Sequence, residues 1–571
     1  MITGTQIRAL LAVTVLVPCL ATAQPASHGA RKPPIFIFTG FMASALLGEY
    51  NPPSSALGAN PAPILTNSHF EALLLSTAGS DSRKGSSNFF GDTGSSNSST
   101  DAASAATGPA ASQPAAATAV AADPGIDATA AASVDAVMQP AASAAAGGPA
   151  AAALRPAAAG GIRARGAATP KTVGSTSTPA APTANVAGPS GCPVTRFKDV
   201  DIWLPSSTLA GLAPRCLISL MRLSYSNSAR ATGRPGFQNN TDVGVSVYRP
   251  GASGMRYPLF NLAGYGKLVD FIEAQLNYTR GVNLFVLPYD FRLDTETLAS
   301  AGQLQQMAKE VSKKVDRSGL KAILIGHSSG AAVALRLLQD SAMRSRVQGY
   351  LALAPPFGGS SSTVLARVSG AFDYLLPWLS DEVAAVLSSG NASGGAAENV
   401  KGWMYNLTLG MPGVAMLMPY AEAFGGQTVV VTIASNKATY TVNDMPKLYR
   451  DIGQPGVANS YARIHVVASM LKSGPIPGVQ TFCIYGSNSD TPLSWRYEKP
   501  LVAGQPNDMP TVDKMGKGDG VANLESLRLC KSIASGPTYI SELKGVTHHS
   551  VHTKRSSLRV IKKALESIIN K

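Results

Sequence analysis

The sequence predicts an α/β protein, a mostly parallel sheet with helices on both faces. Two observations carry this: short, continuously apolar runs recur along the chain, and stretches of helical period separate them. Ile35-Phe36-Ile37-Phe38 is the first such run and leads into Thr39-Gly40. Leu284–Leu287, Ala322–Ile325, Tyr350–Leu353, Val429–Ile433 and Thr481–Tyr485 follow, each of strand length and without alternation, as strands covered on both faces require. Between and after them, Leu304, Met307, Val311 and Val315 recur at helical spacing, as do Leu558, Ile561, Leu565 and Ile568 near the C-terminus.

The regions around this pattern have a different character. Arg8 precedes an apolar run, Ala9 to Leu20, and Ala21-Thr22-Ala23 offers small residues for cleavage, so residues 1–23 read as a secretory leader. From about Gly79 to Gly191, Ala, Ser, Gly, Pro and Thr dominate and aromatics nearly vanish. Such a stretch buries too little apolar surface to offset its ordering entropy, which makes 79–191 a disordered insert between residues 24–78 and a main domain over 192–571. Arg163, Arg165 and Lys171 are cleavage candidates within it. With Cys19 in the leader, Cys192, Cys216, Cys483 and Cys530 remain, an even number suited to an oxidising compartment. Three pairings are open to them, and the nearest-neighbour one, Cys192–Cys216 with Cys483–Cys530, is expected. Sequons at Asn97, Asn239, Asn277, Asn391 and Asn406 agree with secretion. The net charge of +14 is scattered and accompanies no nucleic-acid motif, and no cysteine has metal-ligand spacing, so neither nucleic acid nor a metal or organic cofactor is expected.

The chemistry concentrates at Gly326-His327-Ser328-Ser329-Gly330, which follows the strand Ala322–Ile325 and opens a helix. That context is what a nucleophile elbow of the α/β-hydrolase fold requires: a tight turn between small residues lifts the serine hydroxyl into the open beside a helix N-terminus. A serine needs a base and an orienting acid, in the chain order serine, acid, histidine. After Ser328 the histidines are His465, His548, His549 and His552. His548 is the expected base and His549 the second candidate, otherwise a solvated loop residue. His465, in an apolar stretch, reads as a core histidine. Asp519, between glycines and 29 positions before His548, is the expected acid. The backbone N–H groups of Ser329 and of Phe41, in Thr39-Gly40-Phe41-Met42, are the expected oxyanion donors.

These residues resemble the lecithin:cholesterol acyltransferase family, which includes lysosomal phospholipase A and the phospholipid:diacylglycerol acyltransferases. The matching pieces are Thr39–Phe41, Asp201-Ile202-Trp203-Leu204-Pro205, Leu287-Pro288-Tyr289-Asp290-Phe291-Arg292 and the elbow. Ala354–Gly359, Asp451-Ile452-Gly453, Gly518–Val521 and Gly545–His548 follow in the family's order. The resemblance implies a membrane-contacting loop closed by Cys192–Cys216 and carrying Trp203 to a lipid surface, with a Trp packed in the core as the alternative. It also implies a Cys483–Cys530 bridge bracing the catalytic side, and a lid over about 359–425 with Tyr374–Trp378 as its most apolar part. Ser329 stands where relatives often carry Met, and the long insert is a second departure.

The activity this implies is that of a phospholipase A/O-acyltransferase of the secretory pathway, secreted or held in the lumen of a secretory or lysosome-like organelle. Acting on a membrane or lipid particle, it moves an acyl chain from a phospholipid through an acyl-serine to water or to a sterol or other alcohol. A lipase or esterase of neutral lipids, or an inactive hydrolase fold that binds lipid, are the competing readings.

Overall fold

Six strands form the sheet that carries the site. They are β1 (Ile35–Phe38), β2 (Leu284–Val286), β3 (Ala322–His327), β4 (Val347–Leu353), β5 (Gln480–Ser487) and β6 (Ile540–Lys544). In space they run β6-β5-β4-β3-β1-β2, and every neighbouring pair is parallel, with Ile35 opposite Ile323. The computed structural model describes residues 32–44, 46–50, 197–203, 220–226, 236–239, 243–247, 255, 260, 263–376 and 396–571. The leader, the insert, Cys192, Cys216, Leu204, Pro205, Asn97, Asn391, Pro377 and Trp378 lie outside the described residues.

Every residue of β1 and β3 is buried, as expected of strands with helices on both faces. Over one face, helix α1 (Tyr265–Leu276) packs on the C-terminal helix α4 (Arg555–Ile569), whose Leu558, Ile561, Leu565 and Ile568 are buried. Over the other, α3 (Ser329–Leu337) packs on β1 and β3 and against the short helices Thr295–Ser300 and Val467–Leu471. Helix α2 (Gln303–Ser318) buries Leu304, Met307 and Val311 on its inward stripe. The chain leaves β1 toward β2 but leaves β3 toward β4. The carboxyl ends of β1 and β3 therefore flank a topological switch point, where connections diverge and leave a crevice.

Val429–Ile433 forms a strand, as its composition predicts, but outside this sheet. It pairs with Thr439–Thr441 on one side and Ser489–Tyr497 on the other, and Thr511–Gly518 completes a four-stranded sheet. A continuous apolar run reports burial on both faces, not the identity of the neighbouring strand. The expected lid region opens with a buried helix, Ser361–Ser369, pinned by the Trp495 indole N–H donating to the Ser361 carbonyl at 2.8 Å. Cys483 on β5 is bonded to Cys530 in the turn Leu529–Ser532. Among the described residues no helix is long and apolar enough to cross a membrane.

Candidate active site

At the end of β3 the chain turns through Ser328, whose φ of 55° and ψ of −130° lie where few non-glycine residues sit. Such strain persists only when the surroundings enforce it. Here the Ser328 N–H donates to the Leu353 carbonyl at 3.0 Å and its carbonyl accepts from Ala331 N–H at 3.0 Å, holding the turn at both ends. Any side chain at Gly330 would collide with the carbonyls of Phe38 and Thr39, and one at Gly326 with the backbone of Ala331. The glycines of the elbow thus let α3 seat directly on the end of β1.

The structure brings Ser328, His548 and Asp519 into one hydrogen-bonded chain. Asp519 follows the edge strand Thr511–Gly518 and is fully buried, with Oδ1 accepting the amides of Val521 at 3.1 Å and Ala522 at 2.8 Å. Its Oδ2 lies 2.8 Å from His548 Nδ1, and its carbonyl accepts the His548 amide at 2.9 Å. A buried carboxylate can only accept, so Nδ1 carries the proton and Nε2 keeps its lone pair. That lone pair faces Ser328 Oγ at 2.9 Å. The arrangement can take the serine proton as the oxygen attacks and hold the resulting imidazolium.

The Thr39–Ser44 loop leaves β1 beside this serine. A Cβ at Gly40 would stand 3.1 Å from Ser328 Cβ, so only glycine lets the loop pass this close without displacement. Two tyrosines hold the loop. The Gly40 N–H donates to Tyr265 Oη at 2.6 Å, and Tyr289 Oη donates to the Thr39 carbonyl at 2.9 Å and lies 2.8 Å from Ser329 Oγ. Ser329 opens α3, where a first-turn amide has no partner within the helix. The Phe41 amide, next along the loop, makes no hydrogen bond among the described residues. Phe41 and Ser328 border a pocket also lined by Pro356, Leu375, Leu376, Leu417 and Val521, apolar groups suited to an acyl chain.

The other residues singled out fall variously, with His465 in the core as expected. Trp203, expected at a lipid surface, is fully buried: its indole N–H donates to the Met42 carbonyl at 2.8 Å and its ring lies 5.2 Å from that of Phe291. An amphipathic ring satisfies its one donor as readily in a core as at an interface, and here the core supplies the acceptor. His549 is not solvated. Burial, with His548 and His552 beside it, pushes it down to about 3, and its Nε2 is buried without a partner. His465 packs between Tyr420 and Tyr461, its Nε2 donating to the Ala415 carbonyl at 2.7 Å. The Tyr289–Arg292 segment serves the scaffold. Buried Arg292 grips Asp290 through Nε at 2.9 Å and Nη2 at 2.6 Å and donates to the Met221 carbonyl and Asn239 Oδ1.

Sequence reasoning missed Tyr265, and it gave Tyr289 and His327 no part in the site. Nothing in local pattern marks a tyrosine at the first position of a helix as the neighbour of a loop 225 positions away. His327 was legible only as the second residue of the elbow. Its Nδ1 lies 2.6 Å from Tyr265 Oη and its Nε2 3.0 Å from the His548 carbonyl. His552, stacked on Tyr265 with ring centroids 4.5 Å apart, donates from Nε2 to the Ala263 carbonyl. Among the described residues no cluster of His, Cys, Asp and Glu could hold a metal ion.

Comparisons with known proteins find similarity over much of the chain. The family model described as lecithin:cholesterol acyltransferase matches residues 197–452. The chain is 26% identical to the lysosomal phospholipase A and acyltransferase of Rattus norvegicus, over 64% of this chain and 81% of that protein. It is 27% identical to the lecithin-cholesterol acyltransferase-like 1 protein of Arabidopsis thaliana, over 65% and 80%. To the phosphatidylcholine-sterol acyltransferase of Gallus gallus it is 25% identical, over 61% and 77%. By this family match and these relatives, the chain is similar to the lecithin:cholesterol acyltransferase family.

Proposed function

We propose that this protein is a phospholipase A/acyltransferase in which Ser328 is the nucleophile, His548 the general base and acid, and Asp519 the residue that orients His548. The observation that carries the reading is the continuous chain from Asp519 Oδ2 through His548 to Ser328 Oγ, buried throughout. Relatives named as a phospholipase A and acyltransferase and as a phosphatidylcholine-sterol acyltransferase support phospholipid as the acyl donor.

Ser328 Oγ attacks the ester carbonyl as His548 Nε2 takes its proton. The charge that develops on the carbonyl oxygen is met by the amides of Phe41 and Ser329. Collapse expels the lysophospholipid, which receives the proton from His548, and leaves an acyl-serine. Water or an alcohol then gives its proton to His548, attacks the acyl carbon and restores the serine. The apolar lining at Leu375 and Leu376 limits water at the site and so biases the choice of acceptor.

The leader sequence directs the protein into the secretory pathway, where it works at a phospholipid surface. Burial holds His327 well below its ordinary value and brings His549 to about 3 and His552 to about 4.

Incubation with phosphatidylcholine vesicles, with and without sterol, tests the activity when all lipid products are resolved. Free fatty acid with lysophosphatidylcholine in both samples means a phospholipase, whereas steryl ester formed at the expense of fatty acid means an acyltransferase. Turnover of triglyceride with none of phosphatidylcholine would replace this reading by that of a neutral-lipid lipase.

A further inference from the structure

We infer that Tyr265 and Tyr289 are positioning residues that grip the Thr39–Gly40 peptide from its two sides and thereby aim the next amide, Phe41 N–H, at the reacting carbonyl. The inference rests on the proposed oxyanion role of Phe41. One peptide unit has one acceptor and one donor, and here each is taken by a different phenol. Tyr289 Oη donates to the Thr39 carbonyl at 2.9 Å, and the Gly40 N–H donates to Tyr265 Oη at 2.6 Å. The Gly40 carbonyl is also occupied, accepting Ala43 N–H at 3.2 Å. With the preceding peptide gripped at both edges and the following one held at its oxygen, the Phe41 N–H has no rotation left to it.

The direction of every bond follows from chemistry. Tyr289 spends its one hydrogen on the Thr39 carbonyl, so Ser329 Oγ, 2.8 Å away, must donate to it. A single phenol thus links the oxyanion loop to the residue that carries the second oxyanion amide. At Tyr265, the oxygen accepts from Gly40 and the hydrogen goes to His327 Nδ1 at 2.6 Å. The other ring nitrogen, Nε2, faces the His548 carbonyl at 3.0 Å and must carry the hydrogen. Gly40 N–H, Tyr265 O–H and His327 Nε2–H therefore form one unidirectional relay from the oxyanion loop to the backbone of the general base. Burial holds the His327 imidazole neutral, so one proton suffices for both its contacts. The two phenols reach the loop from separate elements, the start of α1 and the turn after β2, so each can be removed without the other.

The test is Tyr265→Phe and Tyr289→Phe in the full chain. Tyr497→Phe, which loses a buried hydroxyl bonded to Ser369 Oγ away from the site, serves as the matched control. For each, kcat and KM on phosphatidylcholine vesicles are measured beside the inhibition constant of a long-chain trifluoromethyl ketone, which adds reversibly to the nucleophile as a tetrahedral oxyanion. Both site variants should lose about 10- to 100-fold in kcat, less than removal of an oxyanion donor costs outright, and inhibitor affinity should fall in parallel. KM should move less than about twofold, since the interaction is made in the transition state. Effects no larger than those of Tyr497→Phe, or a fall in kcat with unchanged inhibitor affinity, would overturn the assignment. If one site variant fails to fold, the other decides; if neither folds while Tyr497→Phe does, the phenols are structural and the assignment is lost. Turnover surviving in Ser328→Ala is a separate failure, of the active-site reading itself.

Discussion

Ser328 owes its position to residues that never touch a substrate. The oxygen faces His548 Nε2 at 2.9 Å because the elbow is pinned at both ends and Gly330 lets α3 sit against β1. Each residue of the chain has its own expected signature. Ser328→Ala should abolish turnover in the vesicle assay while leaving vesicle binding intact. Asp519→Asn would present an amide donor to His548 Nδ1, favour the tautomer protonated at Nε2, and lower kcat about 10⁴-fold with little change in fold. His549→Leu should do the reverse, sparing kcat. It removes a buried imidazole whose Nε2 has no partner at the expense of the ring's bond to the Leu375 backbone, so the unfolding midpoint in urea should shift by no more than an amount worth about 1 kcal/mol. If His549→Leu instead eliminated activity with the fold intact, His548 would not be the sole base.

At the scale of elements, the loop carrying Asp519, the proposed acid, depends on its anchorage. Asp519 leaves the exposed edge strand Thr511–Gly518, and Cys530, eleven positions on, is bonded to Cys483 in the main sheet. Closing the loop of 47 residues stabilises the fold by about 4 kcal/mol on chain-entropy grounds. Reduction, or paired replacement of Cys483 and Cys530 by Ala, should lower the midpoint of denaturant unfolding accordingly while turnover by the folded fraction persists. The Asp290–Arg292 pair ties the turn after β2 to residues 221 and 239. Arg292→Met would strand a buried carboxylate at a cost of about 3–5 kcal/mol, read as a loss of stability or of soluble yield. Legibility was uneven here. β1, β3, β4 and β5 announce themselves as apolar runs, but β6, Ile540–Lys544, is half-exposed at the sheet edge and the strand Thr511–Gly518 is nearly all polar. Edge strands lack the double-sided burial that makes central strands readable.

Across the whole molecule, burial of neutral histidines links stability to pH. His549 and His552 are pushed down to about 3 and about 4, chiefly by burial, and His327 lies well below its ordinary value. In the unfolded chain each binds a proton near pH 6.5, so between that value and the folded values the unfolded state holds more protons. Stability is therefore full above pH 6.5 and is lost as pH falls, by about 1.4 kcal/mol per pH unit for each histidine. Urea unfolding between pH 7.5 and 4.5 checks this. A midpoint that stays level or rises toward acid would contradict it, and the slope should shrink in His549→Leu.

By itself the sequence determined the α/β class and the strand-to-helix turn at Gly326–Gly330, and it singled out Ser328, Asp519 and His548, which the fold brings into one hydrogen-bonded chain, because these are written in local pattern: apolar runs, helical period, and glycines where a backbone passes close. It also located Phe41 on the loop after β1. Only the tertiary structure decided which strand neighbours which, that Val429–Ile433 belongs to a second sheet, and that Trp203 faces inward to the Met42 carbonyl. The same holds for Tyr265 and Tyr289, brought to Gly40 and Thr39 from 225 and 250 positions away. Such contacts depend on how packed elements close on one another, and a phenol that will cap a distant peptide has the same local context as one that will merely fill a core.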